Sequence, residues 1–248
     1  CAGGVAVWLY QESLIDEVQF IVDHSDAKFI IGEGQEEVDK ALAIKDKCPK
    51  LKQVIWDDPK GLRRYDDPIL TSLDKVMERG RAIDQKEPHR FDELVKMGGG
   101  EDVALLFYTS GTTSAPKGAL LTHWNMLKMG QNLLRVDPAL ESDNFVSFLP
   151  FAWIGEQMMS ISCGIQAGFT INFPEEPESS LEDLREIAPH MMFSSSRLYE
   201  QMVRGIQVKY ADSTWAKRKL YEWGLTVGYA IADAKFDKKP VGGLLKTQ

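Results

Sequence analysis

From residue 5 onward the chain alternates short apolar runs with amphipathic stretches. Residues 5–10 form an apolar run rich in strand-favouring types; Ser13 and Asp16 then make a capping pattern, and Leu14, Val18, Ile21 and Val22 recur at helical spacing. Residues 28–31 predict a second strand ending at Gly32 and Gly34, residues 36–48 a second helix, and residues 52–56 a third strand closed by Asp57, Asp58 and Pro59. Strands separated by helices of this length imply βαβ units, because a parallel return needs a crossover.

Residues 57–101 are more polar and are interrupted by Pro59, Pro68, Pro88 and the run Gly98, Gly99, Gly100, which predicts a linker with one or two short helices. The alternation then resumes. Strands are expected at 103–108, 145–149, 169–173 and 190–193, helices at 123–135, 155–167 and 181–188, with Ser180 and Asp183 as a second capping pattern and Pro189 as a stop. Residues 197–235 predict two helices broken near Asp212 and Ser213. The expected class is α/β with parallel-sheet βαβ layers. Residues 1–97 would form a first βαβα part with a polar linker from about residue 57, and residues 98–248 a second βαβ region.

Composition narrows the function classes. A 248-residue chain that is 44% hydrophobic can bury a substantial core, which excludes disorder as the dominant state. A net charge of −8 without a long basic stripe argues against nucleic acid as a partner; the short cluster Lys217, Arg218, Lys219 reads as a solvated helix face. The three cysteines, Cys1, Cys48 and Cys163, are too far apart for a CxxC knuckle or a disulfide framework, and His24, His89, His123 and His190 have no partner at metal spacing. No apolar run approaches the roughly 18–20 residues that cross a bilayer, and the first ten residues lack a basic leader, so the expected location is the cytoplasm. The chain begins with Cys and enters a strand pattern at once, which reads as an interior excerpt of a longer protein.

The candidate chemistry lies at residues 108–118, Tyr-Thr-Ser-Gly-Thr-Thr-Ser-Ala-Pro-Lys-Gly, read as a loop between an apolar strand and a helix. Thr109, Ser110, Thr112, Thr113 and Ser114 supply hydroxyls around Gly111, and Lys117 adds a cation, the donor set that a polyphosphate requires. This is not a Walker A loop, since Pro116, Lys117 and Gly118 stand where that motif would need Gly, Lys and Ser or Thr. Pro116 removes one N–H, so phosphate contact should rest on hydroxyls and Lys117 more than on backbone amides.

At these residues the chain resembles the adenylate-forming family, which comprises acyl-CoA synthetases, luciferases and peptide-synthetase adenylation domains. The departure is Ser114, where the family usually has glycine. Leu149-Pro-Phe-Ala-Trp-Ile-Gly-Glu156 is similar to the family's Leu-Pro-x-x-His-x-x-Glu segment, with Trp153 in place of the histidine. Residues 189–200, PHMMFSSSRLYE, are similar to a stretch of the long-chain group, with Arg197, Tyr199 and Glu200 fitting and Ser196 replacing a proline. With Tyr10-Gln-Glu-Ser13, these likenesses favour the long-chain fatty acyl-CoA synthetase branch and cover nearly the whole chain.

The resemblance implies an AMP-forming acid–thiol ligase whose substrates are a fatty acid, ATP and CoA, with Mg2+ as cofactor. It implies that residues 109–118 hold the ATP phosphates, with Thr109, Ser110, Gly111, Thr112, Thr113, Ser114 and Lys117 as the contacts, and that Trp153 and Glu156 belong to the acyl pocket. Peripheral contact with a membrane is compatible with such a substrate. The family's adenine, ribose and hinge segments and its lid lysine have no counterpart in these 248 residues, so the catalytic groups are expected outside this chain, the C-terminal lid domain is expected to be absent, and the chain alone is expected to be inactive. The alternatives at this point are an aromatic or medium-chain acid–CoA ligase and a non-catalytic module that binds acyl groups or phosphate.

Overall fold

The computed structural model describes residues 3–109, 116–175 and 179–240. It divides into two compact units, one up to Phe193 and one from Ser194. The first unit is mixed α/β and opens with a three-stranded parallel sheet, β1 (Phe29–Gly32), β2 (Gln53–Trp56) and β3 (Leu70–Ser72), in that order. Two helices, α1 (Ile15–His24) and α2 (Gln35–Ile44), turn apolar faces to this sheet. Val18 and Val22 of α1 and Val38, Ala41 and Ile44 of α2 meet Val54 of β2, with Cys48, Leu51 and Leu62 completing the buried cluster. Cys48 is a buried free thiol, which burial pushes up from its ordinary pKa.

Local chemistry explains where these helices start. The expected Ser13 cap is replaced one residue on: Leu14 is the cap position of α1, and its N–H donates to Glu17. The Gly34 N–H at the start of α2 donates to Glu37 in the same way. In each case a carboxylate in the first turn, near the positive end of the helix dipole, satisfies a donor outside it.

The expected linker is more structured than its composition suggests. It holds β3, then α3 (Leu73–Lys86), capped by the Ser72 hydroxyl accepting from the Lys75 N–H, and α4 (Arg90–Met97). Lys45, just past α2, pairs with Asp67, whose carboxylate also accepts the Ile69 N–H, so an ion pair fixes the turn that feeds β3. The Lys45 contact holds the Asp67 carboxyl below its usual range.

The second half of this unit contains an antiparallel hairpin, β4 (Val103–Thr109) and β5 (Lys117–Thr122), followed at once by α5 (His123–Val136). Thr122 caps α5, its hydroxyl accepting the Asn125 N–H while the Asn125 side chain accepts the Thr122 N–H. Next come β6 (Asn144–Val146) and β7 (Thr170–Asn172), paired in parallel, with a long helical segment between them. The run expected as a strand at 190–193 contributes a single bridge, Met191 to Phe145, and His190 both donates to the Asn144 carbonyl and accepts the Asn144 N–H at Nδ1. Phe145 is fully buried between these neighbours, against Met159, Cys163 and Phe169.

The segment between β6 and β7 is not a uniform helix. It runs α6 (Ile154–Gln157), a π-helical stretch over Met158–Cys163, then α7 (Gly164–Ala167), ending at Gly168 with φ +75°. Two α-turns would bring Ile165 onto the face of Met158, seven residues earlier. The wider π turn carries it off that face, and Ile165 is exposed while Met159 is buried. The following helix, α8 (Ser180–Ile187), ends with Ala188 in the left-handed region immediately before Pro189.

The second unit consists of α9 (Ser196–Ala211) and α10 (Trp215–Phe236), divided at Asp212 and Ser213 as expected. The Tyr210 hydroxyl donates to Glu222 at 2.8 Å, and Tyr210 and Tyr221 lie with ring centroids 5.1 Å apart. Among the described residues no helix is long and apolar enough to cross a membrane.

Candidate functional site

The hairpin corrects the expected strand–loop–helix context of residues 109–118. Ala119, Leu120 and Leu121 form a returning strand opposite Phe107, Leu106 and Leu105, so a second strand stands between the loop and α5. The apolar run 119–121 carried that signal, but it is short and merged with the helix that follows. Ser110, Gly111, Thr112, Thr113 and Ser114 lie outside the described residues, while Thr109 and Lys117 close the stem as a cross-strand pair. The Thr109 hydroxyl donates to the Lys117 carbonyl at 3.5 Å. Lys117 is exposed and makes no ion pair among the described residues.

Tyr108, one residue before the loop, is braced from two sides. Its hydroxyl lies 2.7 Å from His24 Nδ1 at the end of α1, and Phe20, one turn earlier, stacks on the His24 ring and meets Tyr108 edge-on. Across the hairpin Tyr108 faces Gly118, where a Cβ would lie 2.7 Å from Leu106 Cδ1 and 3.5 Å from Tyr108 Cζ. The contact joins residues 84 apart, so nothing in the local sequence around His24 points to it.

The segment Leu149–Glu156 turns sharply at the entrance to α6. The Trp153 N–H donates to the Pro150 carbonyl at 2.9 Å, the Glu156 N–H to the Trp153 carbonyl at 3.0 Å, and the Gln157 side-chain amide to the Phe151 carbonyl at 2.5 Å. Trp153 is half-buried and stacks on Phe193, with centroids 5.5 Å apart and planes 18° apart.

Glu156 is fully buried. Its Oε1 accepts hydrogen bonds of 2.6 Å from Ser147, just after β6, and of 2.6 Å from Ser160 in the π segment, while Oε2 has no partner among the described residues. Burial pushes its carboxyl above the usual range, against smaller opposing contributions from Ser147, Ser160 and the Leu149 amide. The sequence singled out Glu156, but nothing in its spacing pointed to Ser147 or Ser160.

A carboxyl whose pKa is raised by folding adds stability below its unfolded pKa and loses it as pH rises through the folded value. Glu156→Gln is therefore expected to gain stability relative to wild type as pH increases from 4 to 7, measured by urea unfolding of both proteins. A difference that stays flat over this range would mean that Glu156 titrates normally.

One short segment joins the two places. Near the N-terminus the Ala6 N–H donates to the Ala104 carbonyl at 3.1 Å and the Leu106 N–H to the Ala6 carbonyl at 2.9 Å, alongside β4. Two residues on, Trp8 lies against Phe151, with ring centroids 5.0 Å apart, and Phe151 stacks on Phe173 beyond β7. The expected strand at 5–10 is thus reduced to one bridge, and it connects the strand that leads into the loop with the turn that carries Trp153.

The first unit thus holds parallel strand pairs with crossover helices and an antiparallel hairpin whose strands flank residues 110–116. A model of the AMP-binding enzyme family matches residues 1–234, and the chain belongs to that family. Among curated proteins it is similar to the long-chain-fatty-acid–CoA ligase ACSBG2 of Xenopus laevis, 29% identical over 236 residues that cover 92% of this chain and 31% of the relative. It is also similar to the long-chain-fatty-acid–CoA ligase ACSBG1 of Bos taurus, 28% identical over 233 residues that cover 91% of this chain and 31% of the relative. The chain spans about a third of the length of these relatives.

Solved structures agree on the fold. An anthranilate CoA ligase in complex with anthranoyl-AMP superposes with a TM-score of 0.56 at 18% identity, over 75% of this chain and 34% of that one. The adenylation domain of a carboxylate reductase from Mycobacterium chelonae gives 0.58 at 15% identity, over 85% of this chain and 34% of that one.

Proposed function

We propose that these residues form the phosphate-binding and acyl-entry part of an AMP-forming ligase that activates long-chain fatty acids. The observation that carries this reading is the loop sequence from Tyr108 to Gly118 on a hairpin stem, with the exposed Lys117 at its mouth. The similarity to long-chain-fatty-acid–CoA ligases supports the choice of acid.

In the proposed reaction the fatty-acid carboxylate attacks the α-phosphorus of ATP, the bond to the β-phosphate oxygen breaks, and pyrophosphate leaves. CoA thiol then attacks the acyl adenylate, giving acyl-CoA and AMP. Hydroxyls of Thr109, Ser110, Thr112, Thr113 and Ser114, together with Lys117, would hold the β- and γ-phosphates and take up the charge that moves onto the leaving group. Among the described residues there is no group of three or more His, Cys, Asp or Glu that could hold a metal ion.

Trp153 and the buried Glu156 turn would border the acyl chain. Trp153→Ala in the full-length protein is expected to change the preference among acids of different length while leaving the KM for ATP in place. An unchanged acid profile together with a large fall in melting temperature would make Trp153 a packing residue only. For the function itself, the full-length protein incubated with ATP, magnesium and CoA is expected to form AMP and acyl-CoA from palmitate in preference to octanoate or benzoate. Preference for benzoate, or binding of ATP without turnover of any acid, would replace this reading with an aromatic ligase or a non-catalytic module.

A further inference from the structure

Gly155, in the first turn of α6, is buried under two aromatic rings. A Cβ at this position would lie 2.7 Å from both Cη2 and Cζ3 of Trp153 and 2.8 Å from Cε1 of Phe193, well inside the roughly 3.5–4.0 Å of a favourable carbon contact. All three neighbours are ring atoms of the stacked pair, and none is backbone. The stack therefore occupies the volume that any other residue at 155 would fill.

The backbone around it has little freedom to yield. Trp153 is held through its own N–H and carbonyl, Phe151 through the Gln157 amide, and Glu156 by hydroxyls on both sides. The side-chain torsions of Trp153 and Phe193 are the remaining freedom, so added volume at 155 should move the rings and leave the turn in place.

We propose that Gly155 is a positioning residue for acyl selection: its missing side chain seats the Trp153 indole close against the helix and against Phe193, and that seat sets which acyl chains pass. The selective role rests on the ligase reading, but the seating of the ring does not depend on it.

The test uses the full-length protein in two arms. In the first, the protein is labelled with 5-fluorotryptophan and the Trp153 resonance is assigned as the one missing in Trp153→Phe. Gly155→Ala is expected to move that resonance and leave those of the other tryptophans near their wild-type positions. In the second, the ratio of kcat/KM for palmitate to that for octanoate is expected to change about tenfold in Gly155→Ala, the scale that one methylene of pocket volume carries, with the KM for ATP unchanged. Phe193→Ala, which removes the stack without adding volume, should change the ratio as well, and in a Trp153→Ala background Gly155→Ala should add no further change.

A Trp153 resonance that does not move overturns the seat. A moved resonance with an unchanged acid ratio in an active enzyme overturns the selective role. A wild-type protein inactive on every acid overturns the ligase reading and the selective role with it, while the resonance still decides the seat.

Discussion

Lys117→Ala in the full-length protein is expected to slow acid-dependent exchange of pyrophosphate into ATP about ten- to a hundredfold, the rate equivalent of the roughly 1.5–3 kcal/mol of a hydrogen bond to a charged group. The side chain is exposed, closes the stem opposite Thr109 and makes no ion pair among the described residues, so its removal costs the fold little. The loss should therefore appear in turnover and leave the urea midpoint near wild type. Lys117→Arg keeps the charge but replaces a compact ammonium by a planar fork, and it should recover part of the rate. Unchanged exchange in Lys117→Ala would remove the phosphate role from the loop stem.

Phe145→Ala is expected to destabilise the protein by about 3–5 kcal/mol, the usual cost of emptying a buried phenylalanine site. Phe145 is fully buried and sits edge-on to Phe169 at 6.0 Å, on a strand flanked by β7 on one side and the Met191 bridge on the other. A cavity there loosens three chain segments at once, and the turn carrying Trp153 follows directly from this strand. Phe91→Ala, at a site 59% exposed in α4, is the control and should shift stability by no more than about 0.5 kcal/mol. The comparison is read from urea midpoints; equal midpoints for the two variants would show that the β6 layer is not the core described here.

Long periodic elements were legible from sequence alone. α1, α2, α5 and the division between α9 and α10 follow from apolar spacing and from the break at Asp212 and Ser213. Parallel pairing of β1 with β2 and of β6 with β7 followed from the strand–helix alternation. What was missed is short or non-local. β3 has three residues and depends on the Lys45–Asp67 pair for its position, β5 hides between a polar loop and a helix, and the π segment keeps an ordinary helical composition while shifting the face of every residue after it.

The candidate site divides along the same line. The donors of residues 109–118 and the pair Trp153 and Glu156 stand in contiguous motifs, so the resemblance could point to them. Their supports do not. His24 reaches Tyr108 from 84 residues away, Phe193 reaches Trp153 from the end of the unit, and Ser147 shares the Glu156 carboxyl with Ser160 only because the chain returns past β6. Such contacts are products of packing, and hydrophobic periodicity carries no trace of them.

On the ligase reading the Tyr108–Gly118 loop serves an acid-activating adenylation step, and isotope exchange isolates that step from thioester formation. With full-length protein, ATP, magnesium and labelled pyrophosphate but no CoA, label is expected to enter ATP only when a long-chain fatty acid is present, and the rate is expected to fall in Lys117→Ala. Label entering ATP equally well without any acid, or not entering with any acid tried, would take that step away from the loop.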